Sequence, residues 1–212
     1  IAREHNYPVE LGLFDKLNID AEYFTQHRSN ILMTRSSIPL AAGFSAPIRA
    51  NVGAASSSGI DMSANYQQSF GQDFWIQGMA NFTYSTNKFT KYAEPQYDEP
   101  WRYHVGHSIN QTYGYIAEKL FVDDAEAANS PLQNFGVYGG GDIKYLDVNR
   151  DGQITAADQV PIGNPTVPEI VYGFGVSSKY KAVDFSVFFQ GLANESFWIN
   201  TGRYDAKDNP GT

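Results

Sequence analysis

Apolar and polar residues alternate with period two in six stretches of this chain, and the six fall into three pairs, each joined by a short polar turn. In the first pair Val9, Leu11 and Leu13 share one side before a turn at Asp15-Lys16, after which Leu17, Ile19, Ala21 and Tyr23 alternate with Asn18, Asp20 and Glu22. The second sets Ile60, Met62, Ala64 and Tyr66 against Asp61, Ser63, Asn65 and Gln67. It turns around Gly71 and returns with Phe74, Ile76, Gly78, Ala80, Phe82 and Tyr84 opposite Gln77, Asn81, Thr83 and Ser85. In the third, Ile170, Tyr172, Phe174 and Val176 lead to a turn between Lys179 and Ala182, and Val183, Phe185, Val187 and Phe189 then oppose Asp184, Ser186 and Gln190. Successive side chains on a strand point to opposite faces, so the pattern predicts three antiparallel hairpins near 9–27, 58–87 and 168–195, each with one apolar and one polar face.

Two architectures need such a sheet: a soluble sandwich, with apolar faces meeting inside, and a membrane barrel, with apolar faces meeting lipid. Strand length and loop asymmetry separate them. Strands of roughly 10 to 14 residues are closer to the ~9 to 11 that cross a bilayer than to the ~5 to 6 of globular sheets. Turns within pairs are tight, whereas the connections between pairs, near 28–57 and 88–167, are long, as in outer-membrane barrels with short turns on one rim and long loops on the other. The fold class predicted is therefore all-β: a segment of an antiparallel transmembrane β-barrel, with about six strands, long extracellular loops and a short helix. Six strands do not make a bacterial barrel, which needs at least ~8, so strands are expected on both sides. On this reading the lumen-facing candidates are Asp20, Glu22, Asp61, Asn65, Gln77, Asn81 and Asp184. The alternative is a soluble, calcium-stabilised β-sandwich that displays Trp and Tyr to carbohydrate.

Composition sharpens the picture. Aromatic residues make up 15% of the 212, with 14 Tyr and 14 Phe, while charged residues are only 18%, below the roughly 25% of an average soluble domain. A formal net charge of -8 with no basic stripe argues against a nucleic-acid partner, whose phosphates are bound by clustered Lys and Arg. The absence of cysteine removes disulfides, thiol catalysis and thiolate metal sites. No apolar run is long enough for a membrane helix, a fact without bearing on strands. The chain opens at Ile1-Ala2-Arg3-Glu4 with no Met or targeting signal, and is expected to begin within a longer protein.

One motif has sharp spacing. Asp147, Asn149, Asp151, Gly152, Gln153, Thr155 and Asp158 fit the calcium-loop template, in which oxygens at positions one, three, five, seven, nine and twelve converge on a hard cation and a glycine at six makes the turn. The candidate ligands are Asp147, Asn149, Asp151, the Gln153 carbonyl, Thr155 and Asp158, for a structural Ca2+. Asp rather than Glu closes the loop, and Gly139-Gly140-Gly141 cannot be an incoming helix, so this is no helix-loop-helix pair. The competing reading is an Asx turn followed by a short helix, with Thr155 as N-cap and Asp158 at the capping-box position. Asp123, Asp124 and Glu126 read as the acidic first turn of a short helix. His104 and His107 lie in an extended, glycine-containing context unsuited to a metal pair. Trp75, Trp101 and Trp198 suit an interfacial girdle better than a sugar platform. No catalytic motif or organic-cofactor fingerprint occurs, so no enzyme is predicted.

From Val105 onward the order of short motifs resembles the SusC-like TonB-dependent transporters. It runs through Tyr113-Gly114-Tyr115-Ile116, Leu120-Phe121, the acidic helix, Ser130-Pro131 and Gly141-Asp142-Ile143-Lys144-Tyr145. After the calcium-like loop come Val160-Pro161-Ile162-Gly163-Asn164-Pro165, Pro168-Glu169-Ile170, Tyr172-Gly173-Phe174-Gly175, and Asp184-Phe185-Ser186-Val187-Phe188-Phe189-Gln190-Gly191. Upstream, Asn51-Val52-Gly53 before Gly59-Ile60-Asp61 is colinear, although the Ala54 to Ser58 run departs from the family's more polar pattern and is read as a loop detail. The resemblance covers about Val9 to Asn200 and implies a partial receptor barrel over 1–212, within a plugged barrel of about 22 strands. It further implies a multi-pass protein of the bacterial outer membrane, energised by TonB through segments outside this chain. Its expected cargo is oligosaccharide or peptide fragments, with a SusD-like lipoprotein as lid.

Overall fold

The computed structural model describes residues 1–35 and 48–199. Its main feature is one antiparallel sheet of six long strands: β1 (Ala2–Leu13), β2 (Leu17–Thr34), β3 (Arg49–Phe70), β4 (Phe74–Lys91), β11 (Ile170–Tyr180) and β12 (Val183–Ala193), paired in that order. The three expected hairpins are therefore joined into one wall by the β2–β3 and β4–β11 pairings. Between β4 and β11 lie β5 (Thr112–Gly114), β6 (Ala117–Leu120), α1 (Asp124–Ala128), β7 (Leu132–Gln133), β8 (Ile143–Tyr145), β9 (Gln153–Ile154) and β10 (Val160–Ile162).

The turns follow the local chemistry. Phe14 and Asp15 both take positive φ, 55° and 52°, and Lys16 donates its N–H to the Leu13 carbonyl at 3.1 Å. This is the left-handed turn geometry that matches the twist of flanking strands. Gly71 (φ 70°) and Lys181 (φ 55°) serve the other two hairpins.

Strand extents differ from the alternation. β2 runs on to Thr34 and β3 begins at Arg49, so much of the connection placed at 28–57 is strand; the rest, residues 36–47, lies outside the described residues. The Ala54 to Ser58 run, read as a loop detail, lies inside β3, where Ala54 and Ala55 are each 4% exposed. Small residues there let neighbouring chain pack close. Past Thr25 and Ser58 polar residues are followed by the consecutive Ile31-Leu32-Met33 and the small Ala54-Ala55, and the register shifts near Ile31, so period two leaves no trace.

The register fixes the two faces, because paired residues in an antiparallel ladder point to the same side. One face carries Val9, Leu11 and Leu13 of β1, then Ile19 and Ala21, Met62 and Ala64, Ala80 and Phe82, Phe174 and Val176, and Val187 and Phe189. Among the described residues nothing covers it: Val9 is 54% exposed, Phe174 50% and Phe189 55%. Among the described residues the buried apolar side chains are few: Ala54 and Ala55 lie in β3, and Phe121, Ala127 and Ile154 in the connection before β11, not under the apolar face. Among the described residues no second sheet packs against the first, since the other three sheets are pairs of strands two to four residues long. A sandwich is thus not the architecture adopted. The wall does not close on itself either: β1 and β12 are both edges.

Aromatic side chains bound the apolar band. At the turn end, Phe70, Phe74 and Tyr180 share one row, with Phe70 and Phe74 stacked at 5.2 Å. At the other end Tyr7, Tyr23, Ile60, Tyr84 and Ile170 form a row, with Tyr7 and Tyr23 stacked at 6.2 Å. From Phe74 to Tyr84 the strand climbs about 33 Å at ~3.3 Å per residue; tilted by ~40°, that is a band about 25 Å tall, the height of a barrel's lipid-facing belt.

Close strand approach is required at Gly59, where an added Cβ would strike the Tyr84 carbonyl oxygen and the Phe24 ring, whereas at Gly78 it would meet only Tyr66 Cβ at 4.0 Å. Gly59→Ala is expected to destabilise the sheet by about 1–3 kcal/mol, and Gly78→Ala by less than about 1 kcal/mol. Denaturant titration of both variants checks the difference.

Candidate functional site

The register brings all seven lumen-facing candidates to the face opposite the apolar band. Asp20 pairs with Ser63 and Glu22 with Asp61 across β2 and β3; Asn65 lies in the same row set as Asn18. Asp61, Ser63 and Gln67 then oppose Thr83, Asn81 and Gln77 on β4. Gln77 faces Ser177, and Ser177 and Lys179 face Ser186 and Asp184 on β12. Side-chain bonds cross this face between strands: Ser63 donates to Asp20 Oδ2 at 3.1 Å and Thr83 donates to Asp61 Oδ1 at 3.0 Å. The Ser177 and Ser186 hydroxyls lie 2.9 Å apart, and Lys179 Nζ sits 3.8 Å from Asp184 Oδ1. This face is strongly polar, with acceptors in excess of cations. One residue was not foreseen there: Phe188 shares this face, and its ring lies over Gly173 and Gly175, where any Cβ would collide with it.

The second candidate is the 147–158 loop, held between β8 and the turn that follows β9. Asp147 Oδ1 accepts the N–H groups of Arg150 (2.7 Å) and Asp151 (3.3 Å), and its Oδ2 accepts that of Gly152 (2.8 Å). Asn149 Oδ1 accepts from Asp151 N–H at 3.1 Å, and Asp151 Oδ1 from Gln153 N–H at 2.8 Å. Arg150 (φ 62°) and Gly152 (φ 85°) supply the left-handed residues that fold these Asx turns. Ile154 is fully buried and anchors the loop beside β7, with which β9 pairs in parallel.

Asp158 takes the capping-box role. It is 0% exposed, and its carboxylate accepts N–H groups of Val148 (2.9 Å), Asn149 (3.4 Å) and Thr155 (2.8 Å). The Thr155 hydroxyl in turn accepts from Ala157 N–H at 3.2 Å. Trp101 Nε1 donates to the Ala157 carbonyl at 2.8 Å, tying the cap to the segment after β4. The hard oxygens at positions one, three and five suit calcium, but the closing carboxylate is turned into the backbone. Among the described residues no three His, Asp or Glu side chains are grouped where they could hold a metal ion.

The same connection contains two further charged groups. Asp123 caps α1 by accepting Glu126 N–H at 2.7 Å, the acidic helix start read from the sequence. The Glu126 carboxyl is held down to about 2, first by Lys119, whose ammonium lies 2.8 Å away, and next by the Val122 N–H at 3.0 Å. His104 is not paired with His107: its Nδ1 lies 2.9 Å from Glu94 Oε2, and its ring stacks on Tyr92 at 4.6 Å. Burial, and then the charge of Glu94, push the Tyr113 phenol up to about 12; its hydroxyl donates to the Tyr103 carbonyl at 3.0 Å.

Two outcomes follow. Asp158→Ala strands three backbone donors and is expected to destabilise the connection by about 3 kcal/mol, to the same extent with calcium or chelator, as read by amide exchange of residues 147–158. Because its folded-state value lies below the ordinary 4.5, Glu126 stabilises α1 above that pH, and the contribution disappears as pH falls through about 2. Glu126→Gln should therefore speed amide exchange in α1 near neutrality and make no difference near pH 2.

No protein-family model matches the chain. It is 28% identical over 201 residues to TonB-dependent receptor P3 of Formosa agariphila, covering 86% of this chain and 19% of that protein. Against TonB-dependent receptor P26 of the same organism it is 29% identical over 194 residues, covering 86% and 19%. The chain thus spans about a fifth of the length of the curated relatives it matches. Among solved structures it superposes on the RagAB peptide importer in the open-open state with a TM-score of 0.64 at 17% identity, covering 92% of this chain and 20% of that one. On the closed-closed state the TM-score is 0.61 at 18% identity, covering 92% and 21%. The chain is accordingly similar in sequence to proteins named TonB-dependent receptors over most of its length, and shares its fold with a fifth of the chain in the RagAB structures.

Proposed function

We propose that this chain is a section of wall and surface loop in an outer-membrane, TonB-dependent importer that takes up glycan or peptide fragments with a SusD-like surface lipoprotein. The observation that carries this reading is a single sheet with an uncovered apolar face, bounded by aromatic rows about 25 Å apart, and a hydrogen-bonded polar face behind it. In water that apolar face would be a large exposed patch of the kind soluble monomers avoid; against lipid it is at equilibrium. Asp20, Glu22, Asp61, Asn65, Gln77, Asn81 and Asp184 then line a watery lumen. The homology to TonB-dependent receptors supports the energy source, and the likeness in fold to proteins described as peptide importers supports import as the task. The connection from 92 to 169 would stand on the outer surface, where a lipoprotein lid would meet it.

Calcium has a structural place in this reading. It would bind through Asp147, Asn149, Asp151, the Gln153 carbonyl and Thr155, with Asp158 remaining as the cap. A site lacking its bidentate closing ligand should be weak, in the range of about 10⁻⁴ to 10⁻³ M. Calcium at millimolar concentration should therefore slow exchange of the loop amides in the full-length protein, and Asp147→Asn with Asp151→Asn should abolish that effect. Equal exchange with calcium and with chelator would remove the ion from the account.

The wall assignment is tested by paired lysines. Ala80 and Asn81 are adjacent and exposed, on opposite faces, so in a water-soluble protein lysine at either would cost less than about 0.5 kcal/mol. In the bilayer, Ala80→Lys of the full-length protein should cost about 2–4 kcal/mol and Asn81→Lys about 0–1 kcal/mol, measured by reversible folding into vesicles. Equal costs would contradict the proposal.

A further inference from the structure

Beyond the row formed by Tyr7, Tyr23, Ile60 and Tyr84 the outer face of the sheet changes character. The next row is His5, Thr25, Ser58 and Thr86, and the one after it Arg3, His27, Ser56 and Lys88. These rows floor a cavity of about 820 Å³, walled at its far side by segments 106–111 and 163–165. Arg3, His5, His27, Lys88 and His107 line it, against a single carboxylate, Glu169. With histidine neutral, as in the chain's net charge of -8, two cations, Arg3 and Lys88, meet one carboxylate here, a local reversal of sign. Among the described residues none of these five basic side chains forms an ion pair.

Position selects the ligand. The tight turns lie at the opposite end of the strands, so this end is the outer one. A basic cavity that begins one row past the aromatic girdle, on the lipid side, stands at the depth of the headgroups. Arg offers planar paired donors to phosphate, Lys a point charge, and the imidazoles and hydroxyls further hydrogen bonds. We propose that this cavity binds the phosphate of an anionic outer-leaflet lipid and holds the wall in register with the membrane surface at the root of the long surface connection. The proposal rests on the wall reading given above.

The test uses the full-length protein, purified in non-ionic detergent and examined by native mass spectrometry with three probes: phosphorylated lipid A, the same lipid dephosphorylated, and inorganic phosphate. Arg3→Gln with Lys88→Gln should weaken retention of the phosphorylated lipid about tenfold, while Lys16→Gln, on the opposite rim, should not change it. The dephosphorylated lipid should bind the wild type as weakly as phosphorylated lipid binds the double variant. Equal retention by wild type and double variant would overturn the proposal, as would equal binding of both lipids, or saturation by inorganic phosphate at the same concentration. Heat-modifiable electrophoretic migration and recovery in the outer-membrane fraction separate the two levels. A wild type that fails both overturns the wall reading and this site together, whereas a correctly inserted protein with no lipid preference overturns this site alone.

Discussion

The organising constraint of this structure is that the apolar face of its sheet has no partner within the described chain. A soluble protein satisfies such a face by folding another layer onto it, because each buried Val, Leu or Phe is worth about 1.5–3 kcal/mol. Here the small buried core lies elsewhere, around Phe121, Ala127 and Ile154, and the sheet presents Val9, Leu11, Met62, Phe82, Phe174 and Phe189 outward. A hydrocarbon surround removes the need for a second layer, and it also requires that every backbone group be paired in the wall. In a barrel wall, the edges at β1 and β12 are where that requirement would pass to neighbouring strands.

The surface connection obeys the opposite rule. It holds the small apolar cluster of Phe121, Ala127 and Ile154 and packed ring pairs such as Tyr115 with Phe135, and around them polar groups satisfy one another at short range. Asp158 gathers three backbone donors, Gln133 joins β8 by donating to Ile143 and accepting from Tyr145, and Glu126 joins two lysines to the end of a five-residue helix. The wall is held by long ladders, whereas the connection is held by a small apolar cluster and by individual side-chain hydrogen bonds. Substitutions in the two regions should accordingly act through different physics: environment in the first, unsatisfied donors in the second.

Legibility in the sequence follows the same division. Inside the apolar band one face is apolar and the other polar, so period two is strong, and the hairpins around Asp15, Gly71 and Lys181 can be read directly. Above the girdle, Arg28 to Thr34 carries Ile31, Leu32 and Met33 in succession across a register shift and Arg49 to Ser58 is mostly small; both lose the alternation and their strands are invisible, though the ladders continue. The seven polar candidates share a face because hairpin register preserves parity. Phe188 breaks the pattern: its ring lies over Gly173 and Gly175 of β11, where any Cβ would meet it. In the connection, the Asp147 to Asp158 spacing is a local signal and both of its readings were visible, but the pairing of Leu132 with Gln153 joins two-residue strands far apart in sequence, and such pairings have no local signature.

The central claim, that one face of this wall meets hydrocarbon and the other water, can be measured directly. The chain contains no cysteine, so single cysteines carrying a nitroxide can be placed from position 60 to 66 and from 76 to 84 of the full-length protein in vesicles. The account predicts that accessibility to oxygen, which concentrates in lipid, and to a water-soluble nickel chelate will alternate out of phase with period two, oxygen highest at 62, 64, 80 and 82. Two quenchers rising and falling together, or oxygen excluded from both sets of positions, would mean that the apolar face is covered by protein or by water, and the account would fail.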